Sequence, residues 1–200
     1  LTGVLLDQCR LLYDNHPGDD ATVCTVKVRQ RASVSLLIGP PQQPSDVEKM
    51  MDLFFSKSGK HIVCGGTTAS LAAKHLGKTV DASLPVKGDD PTVPPLAYID
   101  GVDLVTEGVI TISRVLELSE EYLDGRCNYH DLRYKTDGAS QIARLLFEEA
   151  TDISFYVGRA INHAHQNPSL PINFSIKMRL VQELVENLEK MGKHVRVHYF

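Results

Sequence analysis

The residues most able to do chemistry begin with a carboxylate pair, Asp19 and Asp20, in the segment Gly18-Asp19-Asp20-Ala21-Thr22-Val23. Adjacent carboxylates held at the entry to an apolar, β-branched run offer hard oxygen ligands of the kind Mg²⁺ and Mn²⁺ take. The same residues also make an ordinary solvated turn. A second group consists of glycine-rich loops that follow short apolar runs: Gly39-Pro40-Pro41, Gly65-Gly66-Thr67-Thr68, Thr106-Glu107-Gly108 and Gly158-Arg159. Glycine lets backbone approach a ligand, and a helix starting behind such a loop points free N–H groups at an anion. Thr67, Thr68 and Thr106 add hydroxyls, Arg159 can pair with an anionic group, and Glu107 can accept from a hydroxyl or amine. Strand-to-helix turns use glycine structurally as well. There is no phosphate-loop lysine after the glycines and no full G-x-G-x-x-G run.

The remaining reactive residues form no constellation. His163 and His165 are two apart, which on a helix points them to different faces, and His194 and His198 share a strand face without a carboxylate at ligand spacing. Cys9, Cys24, Cys64 and Cys127 fit neither a zinc spacing nor C-x-x-C. Cys24 and Cys64 fall within apolar runs and read as buried, reduced thiols, which implies a reducing, cytoplasmic compartment. No G-x-S-x-G elbow is present. Lys177, Arg179, Lys190 and Lys193 stand beside Glu183, Glu186 and Glu189, a charge-mixed pattern that reads as a solvated helix face.

These residues need elements to position them. Residues 1–13 carry apolar positions at helical spacing, and residues 21–28 read as a strand. From residue 33 short apolar runs alternate with helical patterns. Strands are expected at 34–38, 61–64, 96–99, 102–105, 153–157 and 194–199. Helices are expected at 44–55, 69–76, 112–123, 139–150, behind Arg159, and at 175–191. The prolines of 84–95 mark a loop, and 125–138 is polar and irregular. This alternation predicts an α/β fold: a mostly parallel, doubly wound sheet with helices on both faces. The expected division is a segment 1–32 followed by an α/β domain 33–200.

Composition narrows the field. The 200 residues carry a formal net charge of −4, so there is no basic footprint for nucleic acid or anionic membrane. Apolar residues at 42% and charged residues at 23% are ordinary for a folded chain. No apolar run approaches the length of a spanning helix.

The helix of residues 1–13, the Gly18-Asp19-Asp20 turn and the run Ala21-Thr22-Val23-Cys24-Thr25-Val26-Lys27-Val28 together resemble the end of the stage II sporulation protein E-type phosphatase domain. These are bacterial metal-dependent serine/threonine protein phosphatases. The resemblance implies that Asp19 is a ligand of a dinuclear Mn²⁺ or Mg²⁺ centre, with Asp20 at the neighbouring metal-site position. It also implies that the other ligands lie before Leu1. Residues 33–200 are similar to an extension found behind such domains in some bacteria, through Gly65-Gly66-Thr67-Thr68-Ala69 and Leu104-Val105-Thr106-Glu107-Gly108.

The function expected on this resemblance is the C-terminal part of a phosphatase that hydrolyses a phosphoprotein with water activated between two metal ions. This chain would be inactive alone, and 33–200 would be regulatory. The alternatives are an independent binder of a small anion or nucleotide, and an oligomerisation scaffold, including a homodimer. The strand at 21–28, without its sheet, is expected to pair with another copy, dock on the α/β domain or stay disordered.

Overall fold

The computed structural model describes residues 2–16, 18–26, 28–82, 96–126, 132, 134–160 and 176–200. Two units result, Leu1–Gln30 and Arg31–Phe200. In the first, α1 spans Thr2–Leu12 and buries no residue. The strand expected at 21–28 does not form among the described residues. A strand is defined by the neighbour it pairs with, and this unit holds a single β-type run. Val26 and Val28 consequently stand 83% and 92% exposed. Cys24, expected to be buried, is exposed for the same reason.

In the second unit, apolar runs too short for stable helices become strands of a seven-stranded sheet. They are β1 (Ser33–Ile38), β2 (Lys60–Cys64), β3 (Asp81–Ala82), β4 (Ala97–Tyr98), β5 (Leu104–Thr106), β6 (Asp152–Val157) and β7 (His194–Tyr199). Their spatial order is β3-β4-β5-β2-β1-β6-β7. The five strands from β5 to β7 are mutually parallel. Their register pairs Leu36 with Ile62 and with Phe155, and Val197 with Phe155. β3 and β4 run antiparallel. The reversal follows from chain length: a parallel crossover takes a dozen or more residues, whereas β4 reaches β5 through a tight turn in which Val102 N–H donates to the Ile99 carbonyl at 3.0 Å.

Helices α2 (Val47–Phe55), α3 (Gly66–Leu76), α4 (Val109–Leu123), α5 (Gly138–Ala143) and α6 (Ile176–Lys190) cover both faces. α5 continues into wider π-type turns over Arg144–Glu149. Leu36, Ile38, Ile62, Phe155 and Val157 pack with α4, α5 and α6, while Leu37, Val63, Val105 and Tyr156 pack with α2 and α3. Burial of both sheet faces is why Leu36, Leu37 and Ile38 of β1 are apolar in succession rather than alternating with exposed polar residues. Asn187 Nδ2 donates to Ser119 Oγ at 2.9 Å, so this buried polar pair between α6 and α4 is satisfied. The fold is therefore α/β and doubly wound. Among the described residues no helix is long and apolar enough to cross a membrane.

Candidate ligand-binding edge

Taken in chain order, the parallel strands lie 3-2-1-4-5 across the sheet. In such sheets the crossovers wind outward in both directions from the first strand, and a crevice opens at the carboxyl ends where the order reverses. Here that point lies between β1 and β6, and all four glycine loops fall on this edge.

Backbone contacts tie the loops together. Gly39 N–H donates to Thr68 Oγ1 at 3.0 Å, and Gly65 N–H donates to the Thr106 carbonyl at 2.9 Å. Gly158 N–H donates to the Ile38 carbonyl at 3.0 Å. Gly65 adopts φ +103, a conformation costly for any side chain, and a Cβ on Gly108 would sit 3.4 Å from Gly65 Cα. Gly158 is required by crowding: its Cβ would meet the Pro40 carbonyl oxygen at 2.0 Å.

The hydroxyls and charges of these loops divide into two sets. Thr68 and Thr106 are buried and used internally, Thr68 as the acceptor for Gly39 and Thr106 as a donor to the Glu107 carbonyl at 2.8 Å. Thr106 Oγ1 also lies 3.5 Å from Cys64 Sγ, whose thiol burial pushes up to about 12. Glu107 turns back onto its own helix, where Oε2 accepts from Ile110 N–H at 3.0 Å and Thr111 N–H at 3.3 Å. It is the anion that α4 requires, rather than an acceptor for a ligand. Two strands intervene between β5 and β6, so Glu107 and Arg159 are about 14 Å apart at the usual spacing of sheet neighbours.

Exposed on the edge are Gly66, Thr67 and Arg159. α3 starts at Gly66, earlier than the expected Ala69, so Thr67 and Thr68 belong to its first turn. That turn has no side-chain cap and no acidic residue. By contrast α5 is capped by Asp137, which accepts from Ser140 N–H at 2.9 Å, and α4 by Glu107. The amides of Gly66 and Thr67 therefore face solvent at the positive end of a helix dipole.

Lys177 also belongs to this edge. Its Nζ donates to the Gly158 carbonyl and, at 3.2 Å, to the Ala160 carbonyl. It packs against Gly39, where an added Cβ would come within 2.4 Å of Nζ, and burial lowers its pKa. The solvated face expected for this helix does not include Lys177. The signal was present in the spacing: Lys177 precedes Leu180, Val181, Leu184 and Leu188 on the same buried stripe. Lys193 is likewise drawn inward, donating to the Phe147 and Ala150 carbonyls at 2.6 and 2.8 Å.

In the first unit Asp19 and Asp20 are exposed, with Asp20 N–H donating to Asp19 Oδ1 at 2.8 Å. No group of three His, Cys, Asp or Glu side chains that could hold a metal occurs among the described residues. Two adjacent carboxylates supply too few ligands for a dinuclear centre, so the pair does not fit one by itself. His198 stacks on Tyr156 with ring centroids 5.0 Å apart, and His194 is exposed. His163, His165, Cys127, the loop 84–95 and the helix expected behind Arg159 lie outside the described residues. An open cavity of about 310 Å³ lies at the opposite, amino edge, beside Arg31, Gly59, Lys60 and Glu149. Its cations are already paired, Lys60 with Glu149 at 2.8 Å and Arg31 with Asp152. No family model matches the chain, and neither a curated protein nor a solved structure does.

Proposed function

We propose that residues 31–200 are a binding module for a small anionic ligand, acting as the regulatory part of a bacterial metal-dependent serine/threonine protein phosphatase. The single observation that carries the binding role is the uncapped first turn of α3 on the carboxyl edge. Gly66 and Thr67 offer open amides there, whereas α4 and α5 have their own carboxylates in place. A phosphate or carboxylate seated on α3 would accept from those amides and from Thr67 Oγ1. Arg159 and Lys177, further along the same edge, favour a second acidic group on the ligand.

The phosphatase role rests on the resemblance of the first thirty or so residues. Asp19 and Asp20 would there be part of a Mn²⁺ or Mg²⁺ centre completed by carboxylates beyond this pair, and the partner would be a phosphoprotein. A cytoplasmic location is in keeping with free Cys9, Cys24 and Cys64.

A thermal-shift panel of phosphate, nucleotides, acidic metabolites and Mn²⁺ tests the reading. A ligand at a hundredfold excess over Kd stabilises by about 2.7 kcal/mol. A rise with an anion that is lost in Thr67→Asp supports the binding module. A flat response to every anion removes it and leaves a scaffold role.

A further inference from the structure

The sheet ends differently on its two sides. At one side β3 is described only over Asp81–Ala82. At the other, β7 runs from His194 to Tyr199 with its register against β6 unbroken from Asp152–His194 to Val157–Tyr199. Folded proteins blunt such an edge with proline, lysine, a bulge or a short strand. β7 has no proline, no lysine and no bulge, and carries one charged residue, Arg196.

The backbone fixes what can pair there. His194 N–H donates to the Thr151 carbonyl and Phe200 N–H to the Val157 carbonyl, both at 3.0 Å. In a parallel ladder the even-numbered residues of β7 therefore turn both polar groups toward β6. Val195, Val197 and Tyr199 turn theirs outward, where no described residue of Arg31–Phe200 pairs with them.

We infer that β7 is a homodimer interface at which two copies join edge to edge as antiparallel strands about a two-fold axis at Val197. Only a register that matches outward residues with outward residues satisfies the free groups. Centring on Val197 does this over the whole strand: Val197 faces its own copy and Val195 faces Tyr199. Centring on Arg196 would still match Val195 with Val197, but it would leave Tyr199 opposite Lys193, outside the strand, and bring two guanidinium groups together. In the Val197 register Arg196 faces His198 instead, so the two guanidinium groups do not meet. The apolar side of the seam becomes Val195, Val197 and Tyr199 from both copies, the β-branched and aromatic pairs that stabilise antiparallel neighbours. Val195 and Val197 already pack on the core from each copy, and Tyr199, 47% exposed, is the residue the pairing would cover. An antiparallel two-fold contact also closes on itself, so assembly stops at two.

Sedimentation equilibrium across the micromolar range is the test, with melting curves to establish that each variant folds. The wild-type chain should give a species of twice 22.1 kDa. Val197→Pro removes the donor at the axis while leaving every bond to β6 in place, because the N–H of residue 197 points outward. Tyr199→Pro does the same at an exposed position, should the first variant fail to fold. Both should sediment as monomers. A wild-type chain that stays monomeric overturns the inference. So does a dimer that survives in Tyr199→Pro, including one that instead breaks when Leu11 and Leu12 are changed to lysine.

Discussion

Replacing Thr67 with aspartate should have two opposite effects. Thr67 is exposed in the first turn of α3, a turn with no acidic residue and no side-chain cap. A carboxylate there interacts favourably with the helix dipole by about 0.3–1 kcal/mol. For a chain of this size that raises Tm by about 1–4 °C. Glu107 already plays this part for α4, through Ile110 N–H and Thr111 N–H. The same carboxylate would repel a bound anion. At about 4 Å and an effective dielectric of 20 the repulsion is about 4 kcal/mol, ample to lower phosphate affinity more than tenfold. The assay is differential scanning fluorimetry of both proteins with and without phosphate. The ligand-free variant should melt higher than wild type and respond less to phosphate. A variant that melts lower, or that keeps the full phosphate response, would refute the placement of the anion on α3.

Three further outcomes follow from the geometry. Gly158→Ala should destabilise by more than about 2 kcal/mol in urea unfolding, because its Cβ would press on the Pro40 backbone at 2.0 Å and rigid backbone cannot yield as a side-chain tip can. Hydrogen bonds from Arg31, then from Thr151, hold the Asp152 carboxyl at about 2, below its ordinary 3.8. A depressed acid stabilises the fold above the unfolded pKa and loses that contribution as pH falls toward the folded one. Asp152→Asn should therefore flatten the part of the acid-stability curve between pH 3.8 and 2 that wild type shows. Cys64, buried and with its thiol pushed up to about 12, should stay unmodified by iodoacetamide while exposed Cys24 is labelled; modification of Cys64 in the folded chain would contradict the packing at the end of β2.

The α/β class was legible because both sheet faces are buried. Val34–Ile38, Ile62–Cys64 and Ile153–Val157 form short apolar runs, each closed by glycine, and helical patterns lie between them. The antiparallel turn from β4 to β5 was also open to reading, since Asp100-Gly101 leaves too little chain for a crossover. Residues 21–28 misled because β-branched composition records a preference for a pleated surface, and a partner strand must supply that surface. The candidate edge was legible as a set of loops, since sequence order and the right-handed crossover rule put every strand's carboxyl end on one side. The use of each side chain was not. Whether Glu107 caps its own helix or faces a ligand depends on a rotamer, and whether Thr68 is exposed depends on how close β1 brings Gly39. Lys177 was hidden by its charge, although its position on the apolar stripe of α6 already separated it from Arg179 and Lys190.

The proposed function places an anion on the first turn of α3. Its most direct measurement is a phosphate titration followed by amide chemical shifts in the ¹⁵N-labelled chain. The amides of Gly66, Thr67 and Thr68 should move saturably and together, with Arg159 responding more weakly. If these amides stay in place at saturating phosphate, or the changes gather instead around Arg31 and Lys60 at the amino edge, the account of this site is wrong.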